Sequence, residues 1–331
     1  MKQSPRGQSL RKLGPYQVSP VGLGCMPLSG FPPEKSWILD KRDQAISVIH
    51  AALDAGITLL DTADIYSPTW NTMGHNEHLV GEAFRTWNGS MDAKSKVVIA
   101  TKGGITRGPG NDWFGTGGRN AEEHYLYRAV EASARNIGVE KIQLWQHHRL
   151  DHMMPFETQF ENVMKLKAHG VVQNIGLSNV NAEQLRRAIK IGGTPEQGGV
   201  ISVQNEWSPR YRHGAEVLEI CKEGGIAFLP WSPMGGIGNP GAVGTGKYNA
   251  FNELSKAKGV STYAITIAWH LANSPVDIPI PGATRPESIL DSFNGVSITL
   301  SADELDVLNA SLSTDLGPLH EDLLIQPPFR A

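Results

Sequence analysis

Asp61, Tyr66, Lys102 and His148 each stand at or just beyond the end of a short apolar run. Together they supply a carboxylate, a phenol, an ammonium and an imidazole, which is the equipment for moving a proton to or from an oxygen. A phenol titrates near ~10 on its own, so it donates well only where its anion is stabilised, and a neighbouring ammonium does that. A neutral imidazole N–H can orient and polarise a carbonyl oxygen beside the phenol. Buried singly, a lysine and an aspartate are each costly; as a pair they compensate one another. The plain structural alternatives are a purely stabilising Asp61–Lys102 pair, a Tyr66 loop anchor and an incidental His147–His148 doublet.

The elements that carry these groups favour convergence. Leu59 and Asp61 alternate with Leu60; Val98 and Ala100 share a face with Lys102; Ile142, Leu144 and Gln146 share one with His148. If those faces line the inside of a closed sheet, the polar tips meet at its mouth, while His147 points outward to the helices. Strand candidates fall at 20–23, 58–62, 97–101, 142–147, 174–177, 200–205, 226–231 and 277–280, and eight parallel strands close a barrel. Helical patterns lie between them. Residues 43–55 place Ile46, Ile49 and Leu53 on one face and stop at Gly56, and Leu126, Val130, Ser133 and Ile137 repeat the pattern before Gly138. Asn181 with Gln184 and Ser301 with Glu304 are capping-box starts, the first followed by Leu185 and Ile189 on its buried face.

Regular alternation of strand and helix implies an α/β fold with a parallel sheet, and the economical form is a single (β/α)8 TIM barrel. The longer connections, 25–41, 67–76, 103–120 and 234–248, all follow strands and so gather at the C-terminal rim, where barrel active sites are built. They carry Trp37, Trp70, Trp113 and Phe114. The expected organisation is a flexible N-terminal arm over residues 1–15 and a barrel over 16–331.

Composition narrows the function classes. Thirty basic and 33 acidic residues give a net charge of −3 without a block of like charge, which argues against nucleic acid or an anionic membrane as partner. No apolar run approaches the ~20 residues of a membrane span. Residues 1–14 lack the apolar stretch of a signal peptide, and Cys25 and Cys221 lie far apart in apolar surroundings; both features fit a reducing, cytoplasmic setting. Two apparent nucleotide motifs fail. Gly22-Leu23-Gly24 begins a dinucleotide fingerprint but has Pro27 where the third glycine belongs, and the G-x-x-x-x-G-K match over 241–247 is followed by Tyr248 rather than a magnesium-binding Ser or Thr. A metal-dependent hydrolase is disfavoured because no His-x-His or Glu-x-x-His spacing stands at a strand end.

Asp-Thr-Ala-Asp-Ile-Tyr at 61–66, Gly74-His75-Asn76-Glu77 followed by Leu79-Val80-Gly81-Glu82-Ala83, Ala100-Thr101-Lys102, and Gln146-His147-His148-Arg149 with Asp151 resemble, in order, the motifs of the aldo-keto reductase family. The resemblance covers nearly the whole chain. It implies a (β/α)8 barrel in which Tyr66 protonates a carbonyl oxygen while hydride comes from NADPH, with NADP+ as the product. Lys102 and Asp61 would tune the tyrosine, and His148 would orient the carbonyl.

The same resemblance implies a cofactor site. Ser178 and Asn179 in Gly176-Leu177-Ser178-Asn179 are similar to the clamp on the nicotinamide carboxamide, Gln204 is the second clamp, and Trp207 would stack on the ring. Trp231, Ser232, Pro233, Met234 and Gly235 resemble the turn that covers the pyrophosphate, with Lys247 in a belt over the cofactor. Gly282, Thr284, Arg285 and Ser288 resemble the adenosine site, and the Arg285 guanidinium suits a 2′-phosphate. Asp291-Ser292 replaces the Glu-Asn pair that many members place on the adenine. The expected substrate is a small carbonyl compound, apolar or aromatic given the rim composition, with 67–76 and 108–118 as candidate lids. A cofactor-sensing regulator resembling potassium-channel β-subunits is the rival, against which the histidine at 148 counts, an amide being usual there.

Overall fold

Residues 9–31, 33–108, 118–235, 248–314 and 316 are described in the computed structural model of the chain. The strands in chain order are β1 (Arg11–Leu13), β2 (Tyr16–Val18), β3 (Leu23–Gly24), β4 (Leu59–Asp61), β5 (Val98–Gly103), β6 (Ile105–Thr106), β7 (Gly118–Arg119), β8 (Ile142–His147), β9 (Val172–Ser178), β10 (Val200–Gln204) and β11 (Ala227–Phe228). The helices are α1 (Arg42–Asp54), α2 (His75–Thr86), α3 (Met91–Ser95), α4 (Glu123–Ile137), α5 (Phe156–Ala168), α6 (Ala182–Gly192), α7 (Ala215–Gly224), α8 (Asn249–Lys258), α9 (Thr262–Asn273), α10 (Pro286–Asn294) and α11 (Ala302–Ala310). Strands β3, β4, β5, β8, β9, β10 and β11 pair in that order as one parallel sheet, with the helices packed outside it.

The eighth staves are the residues around 276–282, which form bridges rather than a full strand. Phe228 N–H donates to the Val276 carbonyl, and Ile278 and Ile280 N–H donate to Phe228 and Pro230. On the other side Gly22 and Gly24 N–H donate to the carbonyls of Pro279 and Pro281. Alternate residues of a strand face opposite neighbours, so both prolines turn their missing N–H toward β3. Half of that ladder cannot form. The barrel nevertheless closes, because Gly24 lets the backbones approach: a Cβ there would meet the Ile280 carbonyl oxygen at 2.7 Å. The architecture is a (β/α)8 barrel.

Two apolar layers result. Leu59, Val98, Ala100, Leu144, Ile201, Leu229 and Ile280 fill the barrel, while a larger cluster lies between strands and helices. Ile142 belongs to the outer layer and not to the inner face expected of it. The side chain of Gln143 accepts from Ile99 N–H and donates to the Val97 carbonyl, taking the place of a backbone rung, so regular alternation begins at Leu144. Helix ends follow the sequence: Asn181/Gln184 and Ser301/Glu304 are reciprocal capping boxes, and Gly138 closes α4 at φ 82°. Cys25 and Cys221 are free and buried, and among the described residues no helix is long and apolar enough to cross a membrane.

Of the arm expected over 1–15, residues 1–8 lie outside the described residues, and residues 11–13 form a paired strand instead. Arg11–Leu13 pairs antiparallel with Tyr16–Val18, and Leu13 and Val18 are fully buried among the barrel-filling residues, so this hairpin plugs the barrel. Gly14 at the turn has φ 57° and faces Ile201, a conformation that suits glycine. Replacing Leu13 by Ala removes a plug side chain from a packed interior and is expected to lower unfolding free energy by about 2–4 kcal/mol in urea titration. A loose arm would give no change.

Candidate active site

The centre is a buried ammonium. Lys102, at 0 % exposure, donates to Asp61 Oδ1 at 2.6 Å, to the Thr62 carbonyl at 2.8 Å and to the Tyr66 hydroxyl oxygen at 3.1 Å. An ammonium has three protons, and all three are engaged. The other Asp61 oxygen accepts from Gln204 Nε2 at 2.8 Å and Gln146 Nε2 at 3.4 Å. Gly176 makes room for this amide layer, since a Cβ there would meet Ser202 Oγ at 2.2 Å. Removing one partner from so buried a pair costs about 3–5 kcal/mol, because it strands the other charge.

Burial alone would depress the Lys102 ammonium, but the Asp61 carboxylate and Tyr66 oxygen outweigh it and hold its proton affinity above the ordinary lysine range. For Tyr66 the balance differs from the sequence-based expectation. Burial raises its proton affinity, and the opposing pull of Lys102 is smaller, so the phenol stays protonated well into alkaline pH. His148 is pushed well below the usual histidine value, first by burial and then by Lys102, Arg149 and Arg119. Its imidazole is therefore neutral. The Tyr66 and His148 rings meet edge to face with centroids 5.7 Å apart. His148 is fixed through its backbone, donating to Gly103 and accepting from Asn179 Nδ2, whereas its Nδ1 has no hydrogen-bond partner among the described residues. His147 points outward as its parity demands and bonds Gln159 of α5.

A second layer holds the strand ends in place. Asn76 accepts from Thr62 Oγ1 and donates to the Cys25 carbonyl and Ser29 Oγ, while Glu77 accepts from Thr101 Oγ1 and Asn136. The Asn-Glu step at the start of α2 thus ties the residues beside Asp61 and Lys102 to one helix. Burial raises the proton affinity of Glu77 and, still more, of Asp64, which the nearby Glu77 reinforces.

A cavity of about 680 Å³ opens on this centre. Asp61, Tyr66, His148 and Arg149 line one end, with Met26 and Pro27 from the loop after β3. Ser178, Asn179 and Gln204 line the middle, followed by Trp231, Ser232, Pro233 and Met234. Gly282, Thr284, Ser288, Asp291 and Ser292 complete it at α10. Among the described residues the only non-glycine positions with positive φ are Asn179 at 57° and Ser232 at 50°. Both line this cavity, where strain of about 1–3 kcal/mol each is held by its surroundings. Trp231 Nε1 donates to Asn179 Oδ1, and Asn179 Nδ2 also donates to Ser178 Oγ, so these side chains form one connected wall.

Three of the expected cofactor residues that the structure describes are not in that lining. Trp207 is buried outside the barrel, stacked on Trp269 and edge-on to Phe228, because Gln204 takes the inward parity and residue 207 the outward one. Its expected place on a nicotinamide ring is therefore corrected. Arg285 is exposed at the rim with its guanidinium 5.9 Å from the Trp37 ring centroid. Gly235 stands just behind, closing the turn by donating to the Ser232 carbonyl. Lys247 lies outside the described residues, as do Trp113, Phe114 and nearly all of the 108–118 lid candidate. The 67–76 loop carries a short turn, Trp70–Thr72, closed by the Thr69 and Thr72 side chains. Sequence reasoning missed Met26, Glu34, Lys35, Tyr263 and Glu287 as cavity residues; they sit in loops or at helix ends, where no periodicity marks an inward face. Gln146 was detectable, since its parity places it between Leu144 and His148.

A model of the aldo/keto reductase family matches residues 21–312. An uncharacterized oxidoreductase of Schizosaccharomyces pombe is 32% identical over 295 residues, covering 88% of this chain and 86% of that protein. Among solved structures, an aldo-keto reductase from Klebsiella pneumoniae in complex with NADPH superposes with a TM-score of 0.75 at 21% identity, covering 96% of this chain and 99% of the other. A glycerol dehydrogenase from Gluconobacter oxydans superposes with a TM-score of 0.74 at 22% identity, covering 98% and 99%.

The depressed proton affinity of His148 has a pH signature. Below about 6.5 an unfolded histidine takes up a proton that the folded chain refuses, so the contribution of His148 is intact above that pH. It drains as pH falls toward the folded value, by up to about 1.4 kcal/mol per pH unit. Urea unfolding at pH 7.5 and 5.5 should show His148→Gln losing less stability on acidification than the native chain. Equal losses would contradict the burial argument.

Proposed function

The chain belongs to the aldo/keto reductase family, and on that premise we propose that it is an oxidoreductase that reduces an aldehyde or ketone with NADPH, using Tyr66 as the proton donor. The observation that carries the reading is the three-way contact of Lys102 with Asp61, Thr62 and Tyr66 at the end of the cavity.

The cavity suits a nicotinamide dinucleotide by its donor set. Gln204 commits its amide N–H to Asp61, leaving its carbonyl oxygen as an acceptor for a carboxamide N–H; Ser178 and Asn179 adjoin it. Trp231, which lines the cavity where Trp207 does not, offers the aromatic face for the ring. Ser232, Pro233 and Met234 would lie along the pyrophosphate. At the start of α10, Thr284 and Ser288 stand where the helix N-terminus favours negative charge. Arg285 at the adjoining rim is the group for a 2′-phosphate, and this underlies the choice of NADPH over NADH. Ser292 and Asp291 face the adenine end, although Asp291 already accepts from Ser261 at 2.6 Å.

When bound, the reduced nicotinamide supplies a hydride. The chain's own residues manage the oxygen. His148, neutral and fixed by its backbone, orients the carbonyl by a ring N–H. Tyr66 gives its hydroxyl proton to that oxygen. Lys102 stabilises the phenolate left behind, since a charge-assisted contact is already in place at the oxygen. Asp61 keeps Lys102 charged, and Gln146 and Gln204 keep Asp61 from turning toward the substrate. The regulator reading gains no support from the relatives found, which are described as oxidoreductases and a dehydrogenase. An apolar or aromatic carbonyl substrate and a reducing, cytoplasmic setting remain part of the proposal.

Tyr66→Phe keeps the ring and removes the proton. Following NADPH oxidation with a panel of aromatic aldehydes, the variant should lose roughly 100-fold or more in kcat, with cofactor affinity, read by tryptophan fluorescence, unchanged. Undiminished turnover would overturn the assignment of Tyr66. Tight cofactor binding by the native chain with no turnover of any carbonyl would favour a regulator.

A further inference from the structure

Outside the proton-transfer centre the chain also buries a histidine beside an aspartate. His270 of α9 and Asp277, at the start of the closing segment, both have fully buried side chains, with His270 Nδ1 3.6 Å from Asp277 Oδ2. The other imidazole nitrogen, Nε2, is 3.0 Å from the carbonyl oxygen of Pro233. A carbonyl only accepts, so that contact requires the proton on Nε2. Asp277 Oδ2 stands on the Nδ1 side of the same ring, too far for a hydrogen bond.

Neither Asp277 oxygen has a hydrogen-bond partner among the described residues, His270 Nδ1 at 3.6 Å included. Burial pushes its proton affinity up, while His270, Arg11 and Lys222 pull it down. Isolated buried carboxylates are costly enough that an apolar residue would ordinarily serve a barrel wall better.

What His270 holds is the turn at 231–235. Ser232 there is left-handed, Gly235 has φ 112°, and Pro233 has no N–H of its own with which to anchor the segment. Helix α9 is itself pinned at both ends. Arg11 of the plug hairpin donates to the carbonyls of Leu271 and Ser274. At the opposite end Ser261 caps the helix and bonds Asp291, a cavity residue. The helix is thus a rod that touches both the turn side and the α10 side of the cavity.

We infer that His270 is a positioning residue that holds the Pro233 carbonyl outward and so keeps the 231–235 turn in the shape that receives the cofactor. This rests on the proposed dinucleotide site. The test compares His270→Leu, which fills the space without a donor, with His270→Gln, whose amide N–H can replace Nε2–H. Dissociation constants for NADPH are read by tryptophan fluorescence, with kcat at saturating cofactor measured alongside. His270→Leu should weaken NADPH binding roughly tenfold with kcat nearly unchanged, and His270→Gln should restore most of the affinity. Native-like binding by His270→Leu, or equal losses in both variants, would overturn the inference. A second measurement needs no variant: ¹⁵N NMR of the native chain should find His270 Nε2 protonated, and a bare Nε2 would overturn the inference equally. If the native chain bound no NADPH, the dinucleotide reading would fail by itself, and the NMR result would still decide the tautomer.

Discussion

The structure is organised around a charge that cannot reach water. Lys102 has three protons and three oxygens to receive them, and its ammonium survives full burial only because Asp61 stands 2.6 Å away. That pair dictates what surrounds it. Asp61 must have its second oxygen satisfied, which engages Gln146 and Gln204 from two further strands. Those amides need space, which Gly176 provides. Among the three oxygens on Lys102, the one that belongs neither to a carboxylate nor to the backbone is the Tyr66 hydroxyl, and Tyr66 lines the cavity.

Electrostatics then divides the labour between two neighbouring rings. The same burial raises the proton affinity of Tyr66 and lowers that of His148, so one stays an acid and the other stays neutral. An ammonium beside them sharpens the difference for the histidine and narrows it for the phenol. Local backbone strain is concentrated nearby: Asn179 and Ser232 adopt left-handed conformations where the wall of the cavity must bend, and the connections through Trp231, Ser178 and Pro233 hold them there.

Much of this was legible in the sequence because period-2 parity fixes which side chains share an inner face. Parity put Asp61, Lys102, Gln146 and His148 together and sent His147 outward, and the helix caps at Asn181, Ser301 and Gly138 stood where hydrogen-bond chemistry requires them. The errors came where motif adjacency displaced parity. Adjacency to Gln204 points Trp207 at the cofactor, yet three residues on from an inward side chain the chain faces outward. The hairpin plug was missed because Arg11, Lys12 and Gln17 made a polar stretch of a segment whose Leu13 and Val18 are its buried members. Loop residues such as Lys35 and Tyr263 carry no periodic signal, and a lone histidine in the apolar helix α9 shows its purpose only once Pro233 is seen beside it.

The claim most in need of testing is that the buried ammonium governs the proton on Tyr66. The direct measurement is the pH profile of aldehyde reduction for Lys102→Met against the native chain. With the ammonium gone, the rate should fall by roughly 100-fold or more, and the alkaline limb of the remaining activity should move to higher pH, since Lys102 is what lowers the phenol's proton affinity. A Lys102→Met enzyme with native rate and an unmoved alkaline limb would contradict the account.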